Sequence, residues 1–426
     1  MLNRIGYFVP EFPGQTHIFF WREIVALKDQ DVQLDIISTR RPVAQIVSHT
    51  WSPRAQQATT YLFPLTRNFI ATVIELLRCG PAAWFRCLRA VAAASVSSWI
   101  QRFQLLAFIV IGAELSAIAR QRRWQHLHVH SCANAANIAL FAHLLSGLPY
   151  SLTLHGPLED YGTNQFQKWQ YARFGIVITQ KLHEEVEQAL AGHLPRQVLI
   201  APMGVDLSAF YREFPYRPWN GKTAFRIFSC GRLNFCKGHA VLIEAVAQLR
   251  HLGISVELAI AGEDEQGGVG YRKRLEAQIE RLKLRNVVHL LGAVSEETVR
   301  QRLERSHVFA LASLSEPLGV AIMEAMAMEV PVVVTNSGGV KELVQDGVDG
   351  ILVEVNAPNQ ISDAILRLIS NPSMAVRMGQ LGRKRVQQQF HSRRSAEVLY
   401  KAIEDCLDTR RNSNESLKRL ILSERS

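Results

Sequence analysis

Residues 308–328 read Val308-Phe309-Ala310-Leu311-Ala312-Ser313-Leu314-Ser315-Glu316-Pro317-Leu318-Gly319-Val320-Ala321-Ile322-Met323-Glu324-Ala325-Met326-Ala327-Met328. Val308–Leu311 is an apolar run of strand length. Ser313 to Gly319 is turn-rich. Residues 320–328 then have the composition of a buried helix. Pro317 is expected in that helix's first turn, where its missing N–H costs nothing, with Glu316 at the N-terminal edge. This strand–loop–helix unit is one beat of a rhythm that runs through the chain.

Working outward, further strands are read at 226–230, 255–261, 287–291, 331–335 and 350–353. Helices are read between them at 239–251, 271–283, 296–306, 340–345 and 359–369, and two more at 373–390 and 392–408. Before them, 4–9 reads as a strand, 10–14 as a turn, 16–27 as a helix and 32–38 as a strand. A helical insertion follows at 68–79 and 82–123, with Pro81 at a helix start. Strands return at 126–130, 150–155, 175–179 and 198–201. Alternating β and α segments predict parallel sheets covered by helices. Residues 202–206 and 214–223 are rich in turn formers and read as the linker. The expected division is a first α/β domain at 1–205 with an insertion at about 66–123, a second at 206–391, and a crossover helix and tail at 392–426, frayed from Thr409. Two doubly wound sheets facing each other would form a cleft at the carboxyl ends of their strands.

The chain has 426 residues, 48% hydrophobic and 20% charged, which excludes a disordered chain and a disulfide scaffold. Its six cysteines form no C-x-x-C pair and are read as reduced thiols of a cytoplasmic protein. The start reads as a first strand, not a secretory leader. The most apolar later stretch, 105–113, is nine residues, about half of the ~20 that a bilayer span needs.

Net charge is 48 − 38 = +10. Between Ser38 and Arg123 there are eleven arginines and two acids, Glu75 and Glu114, a local excess of +9. The same segment carries Trp51, Phe69, Trp84, Phe85, Trp99, Phe103 and Phe108. Two readings stand: core-packing helices with solvated arginines, or a surface that lies on an anionic membrane. No motif supports nucleic-acid binding.

Chemistry concentrates in the second half. Glu316 at a helix start is favoured by the helix dipole, beside the free N–H groups of Gly319 and Val320. Glu324, about two turns on, is a carboxylate inside an apolar helix and needs a partner. Hydroxyls of a sugar or ribose would serve; so would solvent at a helix edge. Arg232 and Lys237, in Cys230-Gly231-Arg232-Leu233-Asn234-Phe235-Cys236-Lys237-Gly238, follow a strand and suit a diphosphate. Gly338 and Gly339 open a helix after a strand, either to let a ligand approach the backbone or as a tight turn. There is no Walker sequence and no G-x-G-x-x-G. No Asp-x-Asp stands at a suitable strand end, and no His/Asp cluster has metal spacing. His126, His128 and His130 share one strand face and are read as a locally bonded run at a sheet edge, not a metal site.

The order G-R-x4-K-G, E-P-L-G-V-x3-E-A-M-A, P-V-V-V-T-x2-G-G-x2-E resembles family 4 of the retaining glycosyltransferases, across residues 225–353. Residues 10–16, 128–130 and 153–156 resemble its exopolysaccharide members more loosely. The resemblance implies the GT-B fold, two Rossmann-like domains with a last helix crossing back to the first. It implies a transferase that uses a UDP- or GDP-sugar donor and a glycan or lipid-linked acceptor, without nucleic acid, metal or other cofactor. Carried over, Glu316 would contact the donor sugar and His155 the sugar near its reacting carbon. Glu324 would take the ribose, Arg232 and Lys237 the diphosphate with Gly319 and Val320, and Gly14 the phosphates from the other domain. Glu329 stands where the family usually has glycine, and the first glycine loop has one glycine where many members have two. A nucleotide-sugar epimerase and a non-catalytic binding subunit are the alternatives. The expected location is the cytoplasm, with peripheral attachment to the membrane's inner face if the basic segment binds lipid.

Overall fold

The computed structural model describes residues 2, 4–63 and 69–423, with side chains to residue 408. The expected insertion start at 66 and the helix start at Asn68 lie outside the described residues. The first sheet holds β1 (Arg4–Phe8), β2 (Gln33–Ser38), β3 (Thr59–Tyr61), β4 (His126–Val129), β5 (Tyr150–Leu154), β6 (Gly175–Val177) and β7 (Val198–Ile200). All run parallel in the order β3-β2-β1-β4-β5-β6-β7. The second sheet holds β8 (Phe225–Cys230), β9 (Val256–Ala261), β10 (Val288–Gly292), β11 (Val308–Leu311), β12 (Val332–Thr335) and β13 (Ile351–Val353). Its order is β10-β9-β8-β11-β12-β13, again parallel.

The helices of the first half are α1 (Ile18–Lys28), α2 (Ser52–Ala58), α3 (Phe69–Arg78), α4 (Gly80–Ala93), α5 (Trp99–Arg122), α6 (Asn134–Ser146), α7 (Gln165–Gln170) and α8 (Gln180–Ala189). Those of the second are α9 (His239–His251), α10 (Tyr271–Arg281), α11 (Glu296–Arg305), α12 (Val320–Ala327), α13 (Val340–Leu343), α14 (Pro358–Ser370), α15 (Pro372–Gln389) and α16 (Arg393–Ser423). The two-sheet architecture is the expected one. Strand order reverses between β1 and β4, and between β8 and β11. Ligands of doubly wound sheets bind at such switch points. The chain returns at Val205, which pairs with His391, and α16 packs on α1 of the first domain.

Several local expectations need correction. α2 and β3 form where no element was read. The insertion breaks a second time, at 94–98, where the Ser98 hydroxyl accepts from Gln101 N–H and caps α5. The backbone stays helical past Thr409, to Ser423. α12 starts at Val320, because Gly319 at φ +100° breaks the helix between it and Pro317. Glu329 adopts φ +55°, which explains why glycine suits that position. The turn it makes is tied down by Arg212 on the Met328 carbonyl (3.1 Å) and by Arg383 on the Ala327 carbonyl.

Because helices cover both faces, the central strands are buried throughout. β4 is therefore central, between β1 and β5, not at an edge. Hydroxyls of β5 bond both ring nitrogens of His128 and one of His126, whose buried Nδ1 has no hydrogen-bond partner among the described residues. Ser151 Oγ lies 2.7 Å from His126 Nε2 and 2.7 Å from His128 Nδ1, and Thr153 Oγ1 lies 2.9 Å from His128 Nε2. His307 Nδ1 accepts from Arg226 N–H at 2.9 Å, a role open only to the unprotonated ring. None of the six cysteines is joined in a disulfide.

Burial holds these rings neutral. It pulls His126 from 6.5 to about 3, and His239 and His307 to about 4. Arg173, Lys237 and Arg226 respectively add to the effect by repelling a second positive charge. Between those values and 6.5 the unfolded chain takes up protons that the folded chain refuses. Their contribution is complete above pH 6.5 and lost as pH falls through the folded values. We predict a melting temperature that drops steadily from pH 6.5 towards pH 4. A flat profile over that window, read by circular dichroism, would contradict it.

Candidate active site

The loops leaving the carboxyl ends of β1, β4, β8 and β11 converge on one interdomain cleft of about 450 Å³. That is within the usual range of small-molecule sites. From the first domain, Gln15, Thr16, His17, His130, His155 and Tyr161 line it. From the second come Arg232, Lys237, Glu296, Glu316, Gly319, Val320 and Glu324. Of the residues that the family resemblance assigns to the site, only Gly14 is absent from this lining. It is buried against the His17 ring, and its neighbours Gln15 and Thr16 face the cleft instead. The Gln15 amide closes a two-bond ring with the Glu263 backbone across the domains, at 2.7 and 2.8 Å.

Glu316 is buried in the loop between β11 and α12, not on the helix. Its Oε2 accepts from Lys237 Nζ at 2.6 Å and from Ser313 Oγ at 2.9 Å. The loop is buttressed by the glycine pair. Gly338 sits at φ +58°, and a Cβ there would strike the Glu316 carbonyl; Gly339 N–H donates to that carbonyl at 3.0 Å. The close approach these glycines allow is thus to the Glu316–Pro317 backbone, not to a ligand. Arg232 is partly exposed and pairs with Glu265 at 2.8 Å. The first N–H groups of α12, at Val320 and Ala321, have no acceptor within the helix and border the cleft.

Glu324 has a protein partner that the sequence reading did not supply. Arg22 Nη2, on α1, lies 2.8 Å from Glu324 Oε1 and 2.6 Å from Glu296 Oε1. Burial pushes the Glu324 carboxyl up, with Arg22 opposing that rise. The available signal was the pair Arg22-Glu23 inside an otherwise apolar helix. Glu23 is buried as well, accepting from the Tyr7 hydroxyl at 2.6 Å. Its Oε2 is 3.0 Å from His130 Nε2, off the ring N–H direction. His130 Nδ1 is 3.2 Å from His155 Nε2. Burial, then His130, lowers His155 from 6.5 to about 3, so it meets the cleft as a neutral ring. Among the described residues, no three His, Cys, Asp or Glu side chains are grouped to hold a metal ion.

Residues 217–385 match the profile described as glycosyl transferases group 1. An alpha-D-kanosaminyltransferase of Streptomyces kanamyceticus is 33% identical over 278 residues, covering 60% of this chain and 70% of that protein. The chain belongs to this family. A protein of Salmonella typhimurium named for colanic acid biosynthesis, WcaL, is 33% identical over 169 residues, 38% of this chain. Matches to this and to the glycosyltransferase MJ1178 of Methanocaldococcus jannaschii span 39% and 65% of those relatives' own lengths.

Solved structures cover nearly all of the chain. A sucrose-phosphate synthase of Thermosynechococcus elongatus aligns over 96% of this chain and 100% of its own, with TM-score 0.72 at 18% identity. HepE of Anabaena, solved with UDP-glucose, aligns over 96% of this chain and 99% of its own, with TM-score 0.69 at 18% identity. The fold is GT-B.

Replacing Arg22 by alanine would leave Glu324 buried without its cation. We predict a loss of about 3 kcal/mol, as for other buried pairs broken on one side. Chemical denaturation measures it; an unchanged midpoint would show that the two carboxylates do not depend on this guanidinium.

Proposed function

We propose that the protein transfers a sugar from a nucleoside diphosphate donor to a hydroxyl of a glycan or lipid-linked acceptor, with retention at the anomeric carbon. The observation that carries this is the convergence of Arg232, Lys237 and the α12 N-terminus around Glu316 in the cleft. Two cations and a helix dipole are suited to a leaving diphosphate. A UDP-sugar is the first choice of donor, because the HepE fold relative carries UDP-glucose; a GDP-sugar is the second. The likeness to a protein named for colanic acid biosynthesis favours a role in exopolysaccharide assembly.

In this reading the bond from the anomeric carbon to the diphosphate breaks, and the acceptor oxygen bonds to that carbon on the same face. The acceptor proton goes to a phosphate oxygen of the leaving group. Glu316 positions the sugar and steadies positive charge, while also holding Lys237. His155, neutral and anchored by His130, contacts the sugar. Glu324 takes the ribose hydroxyls through Oε2 while Oε1 stays on Arg22. Arg232, Lys237 and the backbone donors carry out charge stabilisation that a metal ion would otherwise supply.

Arg232→Ala is the clean test, since Arg232 is only partly buried and its partner Glu265 is exposed. Calorimetry should show nucleoside diphosphate affinity reduced on the order of tenfold, with melting unchanged. Lys237→Ala should cut affinity too, and also lower stability, because it strands Glu316. Unchanged affinity in both variants would place the phosphates elsewhere. A donor-hydrolysis screen over UDP- and GDP-sugars identifies the donor. Turnover of that donor should persist in excess chelator; loss restored by magnesium or manganese would overturn the metal-free mechanism.

A further inference from the structure

Helices α3, α4 and α5 each present an apolar stripe to solvent. On α3 it is Ile70, Val73, Ile74 and Leu77, at helical spacing i, i+3, i+4, i+7. On α4 it is Phe85 and Leu88, and on α5 it is Trp99, Phe103, Leu106 and Val110. Leu77 is 79% exposed and Trp99 70%. α5 packs on both α3 and α4, and large apolar side chains exposed together on neighbouring helices mark an interaction site.

The charges around it have one sign. The only acid on these helices before Glu114 is Glu75, which is buried and paired with Arg120 at 2.7 Å. Glu114 is itself buried. Arg86 and Arg102 are spent on structure, donating to the carbonyls of Leu144 and of Val91 and Ala92. Arg78 and Arg89 are exposed, with no acidic partner among the described residues. α5 is, by length and composition, long and apolar enough to cross a membrane, more than the nine-residue count suggested. Its other face, including Leu105, Phe108, Ile109 and Leu115, is buried in the first domain, where it packs on α6. It can therefore lie along a bilayer but is not free to span one.

We propose that the α3–α5 face docks on an anionic lipid bilayer. Apolar stripes would enter the interface, with Trp99 and Phe103 at headgroup depth, while Arg78 and Arg89 meet lipid phosphates. Charge decides for lipid over a second copy of the chain: a self-complementary contact through this face would set arginines against arginines. The loop between α4 and α5 is fastened at Ser95, whose carbonyl accepts from Asn164 N–H at 2.9 Å. Asn164 follows Tyr161 of the cleft wall, so the face adjoins the cleft on the first domain. The docking does not rest on the donor chemistry and is measured without turnover.

The test is co-sedimentation of the full chain with vesicles of phosphatidylglycerol mixed equally with phosphatidylcholine, against phosphatidylcholine alone. Wild-type protein should bind the anionic vesicles at low salt and weaken as salt rises. Arg78→Glu with Arg89→Glu should reduce binding on the order of tenfold or more. Leu77→Gln with Phe103→Gln should do likewise, with melting temperature and nucleoside diphosphate affinity kept in both. Lipids brominated in the acyl chain should quench fluorescence in wild type and much less in Trp99→Phe. The proposal fails if wild type ignores anionic vesicles at low salt, or if both double variants bind like wild type. It also fails if the chain forms a stable dimer that buries Trp99 and leaves lipid untouched.

Discussion

A single buried guanidinium connects the two halves of the cleft. Arg22 stays charged at any relevant pH, so burying it is costly unless acceptors surround it. Here Glu324 and Glu296 come from the second domain, the Gly204 carbonyl from the interdomain stretch, and the Phe210 ring lies 5.3 Å from the guanidinium carbon. Removing any carboxylate would leave the rest undersatisfied. The helix that carries Arg22 is also the one on which α16 packs. The relative placement of the sheets and the electrostatics of the cleft are thus set by the same element.

Around that contact, two parallel sheets do what such sheets do at their switch points: they leave loops that converge from different strands. Glu316 belongs to the loop after β11 and Lys237 to the loop after β8. Their 2.6 Å contact is possible because β8 and β11 are neighbours in the sheet, although the residues are 79 positions apart. The first domain contributes a second polar chain, from Tyr7 through Glu23 and His130 to His155. Tyr7, Glu23 and His130 are buried and His155 is half-buried; hydrogen bonds join Tyr7 to Glu23 and His130 to His155, while Glu23 and His130 only touch. The His130 contact orients a neutral His155 more firmly than packing alone would.

The helical insertion obeys a different constraint. Its inner face completes the first domain's core, with Cys87, Ala90, Leu105 and Ile109 buried. Its outer face remains apolar, which is costly in water unless something covers it. Arginines that look interchangeable in sequence divide into those that hold backbone carbonyls or carboxylates and those with no acidic partner among the described residues. Charge counting could not separate them.

Much was legible from sequence because it is short-range. The β–α rhythm, Pro81 at a helix start, and the strand-end positions of Glu316, Arg232 and Lys237 follow from periodicity and turn chemistry within a few residues. What the fold alone decided involves partners far apart in the chain. Glu324 was recognisable as a carboxylate in need of a partner, but Arg22 stands 302 residues away and is delivered by packing of one domain on the other. Gly338 and Gly339 were recognisable as permitting close approach, but what approaches is the backbone of another loop. The helix start moved from Pro317 to Val320 because Gly319 must turn the loop that Gly338 and Gly339 support. A residue's conformational options are local. Which of them is taken, and which charge meets which, depends on the surfaces that the two sheets bring together.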